Sequence, residues 1–487
     1  ARRGAGPLAG APSGGSEAEP LSAPAVRPPA AEPSAARRTV AVLPFDHVGL
    51  PGDAYLAEGV TNGLASRLTS FEGLRVISPR STREYRGSAK PPAVIGRELG
   101  ADYLLQGRVR WERPGGGDAH APGRVRVTAE LVSARDGRAV WADGYAADVA
   151  NVIAVEGAIG ERIAAALDLA LGAGARQTLA ARPTEDFDAY SRFLRGEALR
   201  TGPGGAAGAW QEAVAEYERA LARDARFALA YARLSEVHSR LYHANADRSD
   251  RRLARAREAA ERAVRLDPAL AEGHLALGLF HYYGRRDYDR ALEAFTRALA
   301  LQPGRAEPLL ARGYVLRRQG RFAEAAASLA HAVELDPRSA QAAYDLAETY
   351  AMVRAYPEAM RYYDRALALA PERVATHADR AKRLVAWRGD TAAGRRIVRA
   401  GLTQGDARQL VARLGVEAAM LLGDGPAERA AVRGLTAAAF GYDTTSYLLW
   451  QATWARLRGT PARGRAYADS ARRRLEPRVA AHPADAG

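Results

Sequence analysis

A pattern of aromatic, small, bulky and cyclic residues returns three times between Tyr288 and Pro371, and a chain that repeats at a short fixed period folds as a stack of like units. In segments 288–303, 322–337 and 356–371 an aromatic residue (Tyr288, Phe322, Tyr356) is followed three positions later by Ala291, Ala325 or Ala359. Phe295, Leu329 or Tyr363 comes four residues further on, then Ala298, Ala332 or Ala366, and then a closing Pro303, Pro337 or Pro371. An earlier copy carries Ala256, Ala260 and Ala263 and closes at Pro268, so the prolines set a period of 35, then 34. Another holds Ala213, Tyr217 and Ala220 and ends at Ala225. The interval from Ala225 to Pro268 is 43, and a longer hairpin loop around 242–251 accounts for the excess. Five copies exceed the roughly three that a stacked solenoid needs.

The spacing has a mechanical reason. Alanines let two antiparallel helices approach, the bulky position fills the gap between hairpins, and proline ends one helix as the next begins. Leu277-Gly278 and Arg312-Gly313 place a glycine on first helices, where it permits close packing. The pattern resembles the tetratricopeptide repeat, so residues 183–372 are expected to form an all-α superhelical solenoid. From 373 to 487 the helical pattern runs on through Leu384, Ile397, Leu402, Leu410, Leu414, Met420 and Leu421 without the alanine and proline signature. These residues are expected to be degenerate repeats that cap the solenoid, with a separate helical bundle as the alternative. Helices are expected at 447–457 and 466–475.

Residues 39–175 change character to short β-branched runs between helical stretches. Strands are expected at 40–45, 74–77, 103–110, 125–132 and 139–145, with helices at 55–71, 94–99 and 149–171. The result is an α/β domain with a mixed sheet, three-layer-like, ending in an antiparallel meander. Val40 to Phe45, Ala57-Glu58-Gly59-Val60-Thr61, Leu74 to Ser78, Tyr85-Arg86-Gly87 and Ile95 to Tyr103 together resemble the TolB-amino-terminal-like domain of bacterial signalling proteins. The resemblance implies a module set between an upstream output unit (a Ser/Thr kinase, a nucleotide cyclase or a winged-helix regulator, often followed by a membrane span) and a downstream tetratricopeptide array. Gly172-Ala173-Gly174 follows a helix, so it is expected to stop that helix and not to cradle a phosphate.

At 487 residues the chain is too long for one core, since single cores stop growing near about 250–300 residues. The absence of cysteine excludes disulfides, thiolate metal sites and cysteine nucleophiles. Residues 1–38 are rich in Ala, Pro, Gly and Ser and are expected to be a disordered linker. No run approaches the ~20 apolar residues of a membrane span. An upstream span is compatible with the tether, and together with the family resemblance it favours an extracytoplasmic location over the cytoplasm. The net charge is +14, but residues 39–175 hold 15 basic and 16 acidic residues, whereas 372–487 hold 20 and 11. Lys90 and Lys382 are the only lysines, which points to codon bias, and with no aromatic-interleaved basic stripe nucleic-acid binding is not expected.

No phosphate-binding loop, kinase signature or nucleophile elbow is present, and the nine histidines are scattered, so no catalytic residue, cofactor or metal is assigned. The expected site is instead a groove lined by first helices, receiving a protein or peptide. Its residues are Glu272, Leu275, Leu279, Tyr282 and Tyr283, then Glu307, Leu310, Tyr314, Arg317 and Arg318, then Gln341, Tyr344, Glu348 and Met352, and last Lys382. Tyrosine offers rigid area with a polar tip and arginine grips a carboxylate with two N–H groups. Packing between repeats is the alternative role for the same tyrosines. The leading reading is a non-enzymatic scaffold or sensory module of a bacterial signalling system. The non-catalytic region of a membrane-spanning Ser/Thr kinase and the effector region of a winged-helix regulator remain open.

Overall fold

The structure is a computed structural model that describes residues 38–112, 123–148, 151–202, 207–244, 246–414, 421–422, 426–440, 444–457 and 459–481. The expected linker, save Arg38, and Met420 lie outside the described residues. Alternation of apolar residues builds the first element, β1 (Arg38–Val42): Val40 and Val42 enter one core while Ala41 enters another, as a strand covered on both faces requires. It pairs in parallel with β3 (Leu74–Ile77) on one side and β4 (Tyr103–Glu112) on the other. A short β2 (Asp46–Val48) adds in parallel to the far part of β4. From β4 the sheet continues antiparallel through β5 (Arg124–Ser133) and β6 (Ala139–Asp148), so the main order is β3-β1-β4-β5-β6. The expected meander is present.

Two helices, α1 (Ala54–Leu68) and α4 (Val152–Ala166), cover one face of this sheet, and α3 (Pro92–Leu99) covers the end of the other. Between β3 and α3 lies α2 (Pro79–Thr82), a single turn whose N-cap Ser78 accepts from the Arg80 amide. The long helix expected over 149–171 divides. It ends at Ala166, Asp168 takes a left-handed φ of 48°, and α5 (Ala173–Ala180) follows. Gly172 is the N-cap of that second helix, so the glycine pair starts a helix where a stop was expected.

Helical hairpins occupy the rest of the chain as far as Gln404. They are α6 (Phe187–Thr201) with α7 (Ala207–Arg223), α8 (Ala228–His243) with α9 (Asp250–Leu266), and α10 (Ala271–Leu279) with α11 (Tyr288–Leu301). Next come α12 (Ala306–Arg318) with α13 (Phe322–Leu335), α14 (Ala340–Met352) with α15 (Tyr356–Leu369), and α16 (Val374–Arg388) with α17 (Thr391–Gln404). Further helices span Ala407–Leu414, Pro426–Arg433, Thr444–Leu457 and Pro461–Ala481, and Ala378 to Trp450 share a core of their own. Among the described residues no helix is long and apolar enough to cross a membrane.

The repeated alanines Ala291, Ala298, Ala325, Ala332, Ala359 and Ala366 are fully buried, as are Phe295, Leu329 and Tyr363. Three of the hairpins meet at a glycine facing the bulky residue. A Cβ on Gly278 would lie 2.4 Å from the Phe295 ring, one on Gly313 would lie 2.7 Å from Leu329, and one on Gly196 would lie 2.5 Å from Tyr217. Overpacking a close-packed core costs about 1–3 kcal/mol. Gly278→Val is therefore expected to lower stability by about that amount in urea unfolding, and pairing it with Phe295→Ala should cost less than the sum of the two single changes. Additive losses would show that the two residues do not share one packing site.

Candidate protein-binding site

The first surface to consider is where the α/β unit meets the hairpins, because their apolar contacts are continuous. One buried cluster runs from Val40 and Leu64 through Ile159 to Phe193, Leu194, Tyr217 and Leu241. Gly59 of α1 lies so close to α6 that a Cβ would be 2.6 Å from Leu194. Tyr55 shares a hydrogen bond with Ser191 at 2.9 Å, and Arg195 lies over its ring at 5.1 Å. At the centre of the junction Arg67 pairs with Glu156 at 3.2 Å and donates to the carbonyls of Thr178, Leu179 and Ala181.

A second contact closes the array back onto the same unit. The Ser78 amide donates to the carbonyl of Leu335 at 2.8 Å, and Ser81 donates to the Asp336 carboxylate and accepts from the Arg338 amide at 3.0 Å. Arg338 also pairs with Glu84, and Arg75 with Glu334 at 3.5 Å. The turn between α13 and α14 thus rests on α2, 255 residues away in sequence. The early part of the inner face looks onto the chain's own α1.

This arrangement sorts the expected groove residues into three groups. Glu272 and Glu307 face inward, but toward the α/β unit. Glu272 is 5% exposed and paired with Arg305 and Arg233, and Glu307 pairs with Arg305 at 3.7 Å. Leu275 and Leu279 are buried among Phe295, Ala311 and Val315 and present no open surface, contrary to expectation. Leu310 is half-buried against the α13 and α14 core. Tyr344 and Glu348 are also buried. Tyr344 donates to Asp379 at 2.7 Å and accepts from Arg413, while Glu348 accepts from Tyr363 and pairs with Arg383. Lys382 joins that network through Asp379 at 3.0 Å. Tyr344, Glu348 and Lys382 thus tie neighbouring hairpins together. Met352 is exposed.

The third group forms an accessible surface. Tyr282 and Tyr283 lie on a π-helical turn, Phe280–Arg285, that prolongs α10, and their rings are 4.8 Å apart. Tyr283 stacks on His243 at 4.1 Å. Tyr314 donates to Asp345 at 2.7 Å, and Gln341 donates to the same oxygen at 2.8 Å. Arg317 lies over the Tyr314 ring at 5.6 Å, and Arg318 is exposed beside it. Among the described residues neither Arg317 nor Arg318 has a carboxylate partner. Burial pushes the His243 imidazole down, and the nearby Arg318, Arg240 and Arg248 push it further in the same direction. Burial raises the Tyr314 hydroxyl well above its ordinary value, and the Asp345 charge reinforces that shift.

His243 and Arg248 are functional candidates that the sequence reading passed over. The signal was the 43-residue interval, whose extra length is the connection between α8 and α9 that carries Arg248 over the Tyr242 ring at 5.3 Å. His238, by contrast, is buried and bonded to Arg252 at 2.8 Å, and burial pushes its imidazole down to about 3. Among the described residues no group of three or more His, Asp or Glu could hold a metal ion.

Comparison with known proteins bears first on the array. The family model of the tetratricopeptide repeat matches residues 243–306 and 310–374, so the chain carries tetratricopeptide repeats. A curated relative, the putative adenylate cyclase 3 of Rhizobium meliloti (strain 1021), is 32% identical over 172 residues, 35% of this chain and 27% of that protein. The chain thus spans about a quarter of the relative's length. Among solved structures, TTC0263, a tetratricopeptide protein of Thermus thermophilus, is 23% identical with a TM-score of 0.34, over 40% of this chain and 99% of that one. The type IV pilus biogenesis factor PilW is 20% identical with a TM-score of 0.36, over 44% and 94%. YrrB, a tetratricopeptide protein with an unusual peptide-binding site, is 24% identical with a TM-score of 0.27, over 38% and 88%.

The junction generates a pH prediction. Burial raises the Glu156 carboxyl from 4.5 to about 7, against the opposing pull of Arg67. Between those values the folded chain holds a proton that the unfolded chain has released, so stability falls as pH rises through the window. The whole shift corresponds to roughly 3 kcal/mol. Urea midpoints measured from pH 5 to pH 8 should fall in the wild type, and Glu156→Gln should flatten that fall. Equal slopes in the two proteins would contradict the assignment.

Proposed function

We propose that the chain is a protein-interaction module of a bacterial signalling system and that it binds a protein or peptide segment on the surface made by Tyr282, Tyr283, Tyr314, Arg317, Arg318 and Gln341. One observation carries the reading: two guanidinium groups without carboxylate partners among the described residues stand beside a cluster of aromatic side chains, in which Tyr283 stacks on His243, Tyr282 lies against Tyr283, and Arg317 covers the Tyr314 ring. Aromatic and arginine side chains dominate binding energy at protein interfaces, since they supply much contact area and several donors for little lost freedom. The remaining groove residues of the sequence reading, Glu272, Leu275, Leu279, Glu307, Leu310, Tyr344, Glu348 and Lys382, hold the hairpins and the α/β unit in register and so set the shape of that surface.

The relative named as a putative adenylate cyclase favours a second reading, compatible with the first. In it the chain is the non-catalytic region of a larger signalling protein, with a TolB-amino-terminal-like α/β unit between output module and array. The output is then a cyclase, or the kinase or winged-helix regulator of the sequence reading.

The test uses the full chain as bait in its native lysate, beside an Arg317→Ala, Arg318→Ala variant whose melting temperature matches the wild type. Truncating interface arginines of this kind costs about 2 kcal/mol or more. At least one partner should be recovered roughly tenfold less by the variant, with weaker capture at high salt. Equal recovery of every partner by both baits would move the binding surface elsewhere.

A further inference from the structure

The α1 and α2 side of the sheet unit does not touch the hairpins everywhere. Between the apolar junction at α6 and the polar contact at Asp336 the walls stand apart around a cavity of about 460 Å³. Six arginines line it: Arg80 and Arg83 from the α/β unit, and Arg200, Arg233, Arg240 and Arg305 from the hairpins. Only two carboxylates, Glu197 and Glu307, share the lining.

The other neutralising carboxylates are set behind or beside the wall. Glu236 is 3% exposed and holds Arg200, Arg233 and Arg240 at 3.4, 3.1 and 3.0 Å. Glu272 is likewise buried and holds Arg233 and Arg305, and Glu58 lies 3.6 Å from Arg83. Burial pushes the Glu197 carboxyl up, yet Arg200 and Arg233 outweigh it and bring it down to about 2, so these carboxylates stay ionised and the guanidinium groups stay fixed. Each guanidinium has five N–H donors, more than these carboxylates accept. The buried Arg233 Nε makes no hydrogen bond, although the Glu197 carboxylate lies 3.4 Å from it. Arg80 is exposed toward the opening, and among the described residues its guanidinium makes no hydrogen bond or ion pair. Beside the arginines lie Pro79, Trp210, Ala306 and Leu335, which give the same space an apolar wall.

We propose that this cavity is a binding site for a phosphate-bearing anion of nucleotide size, gripped from both sides by the α/β unit and the helical array. The chemistry follows from the donor set. Guanidinium groups arriving from several directions match the oxygens of a phosphate chain, whereas a lone carboxylate uses only one such fork. The volume lies within the ~300–1000 Å³ of small-molecule sites, and such sites favour domain interfaces. A ligand held by Arg80 and Arg83 on one wall and Arg240 and Arg305 on the other adds to the closure made by Ser78, Ser81 and Asp336, so it stabilises the closed arrangement by linkage.

The test is calorimetric titration of the full chain with ATP and with tripolyphosphate in EDTA, at matched ionic strength, with adenosine as the uncharged probe. Thermal unfolding is followed in parallel. Saturable binding of ATP is expected, with a raised melting temperature and no binding of adenosine. Arg80→Gln, which breaks no ion pair, and Arg240→Gln should each weaken ATP at least tenfold, while Arg97→Gln, on the distant α3, should not. Tripolyphosphate bound as tightly as ATP assigns the affinity to phosphate alone, and weaker tripolyphosphate adds the apolar wall; both support the site. Absence of saturable binding, equal binding of adenosine, or ATP affinity unchanged in both cavity variants would overturn it.

Discussion

The apolar contact between α1, α4 and α6 is the constraint on which the rest of the molecule depends. A tetratricopeptide hairpin cannot bury both of its faces alone, and the first hairpin of a stack has no predecessor to cover it. Here the sheet unit takes that place. Phe193 and Leu194 enter the same buried cluster as Leu64 and Val60, and Arg67 fastens the seam by satisfying three backbone carbonyls at the end of α5. Once α6 is fixed against α1, each later hairpin follows at an angle set by its small-residue contacts. The array then curves until the turn at Asp336 meets α2.

That geometry decides which parts of the inner face are free. Glu272 and Glu307 are spent on arginines that face the sheet unit, and Tyr344 and Glu348 on ties between neighbouring hairpins. Tyr282 and Tyr283 escape both fates because the π-helical turn at 280–285 carries them beyond the end of α10, whereas Tyr314 keeps one face toward the opening while its hydroxyl ties α12 to Asp345 of α14. The abundance of arginine, which the composition alone attributes to codon bias, acquires two structural roles. Arg200, Arg233, Arg240 and Arg305 are neutralised in networks around Glu197, Glu236 and Glu272, and others, including Arg80, Arg317 and Arg318, have no carboxylate partner among the described residues.

The hairpins were legible in the sequence because their signal is periodic and redundant: Ala291, Phe295, Ala298 and Pro303 recur at fixed offsets, and their burial is a direct consequence of helix geometry. The strands at 74–77 and 103–110 were legible from alternation and β-branched content, the second running two residues further in the structure. The break at Asp168 was not, since Val152 to Leu171 carries an unbroken apolar pattern and only a left-handed backbone at an aspartate divides it. Of the candidate site, the tyrosines and Arg317-Arg318 could be placed on a face, but their surroundings could not. Helical projection treats Leu275 and Tyr282 alike, while the structure buries one fully beside Phe295 and leaves the other half-exposed at the edge of the same cluster. Contacts such as Ser81 with Asp336 join residues 255 apart and leave no local trace.

The account stands on the closed arrangement of sheet unit and array. The chain has no cysteine, so spin labels can be attached at Glu72→Cys, just before β3, and Ala323→Cys, on α13, two exposed positions that take no part in the closing contact. Electron–electron distance measurement should give a single narrow distribution that broadens when Ser81→Ala and Asp336→Ala are added. A broad distribution in the labelled chain with Ser81 and Asp336 intact would contradict the closure, and with it the assignment of Glu272 and Glu307 to an internal face.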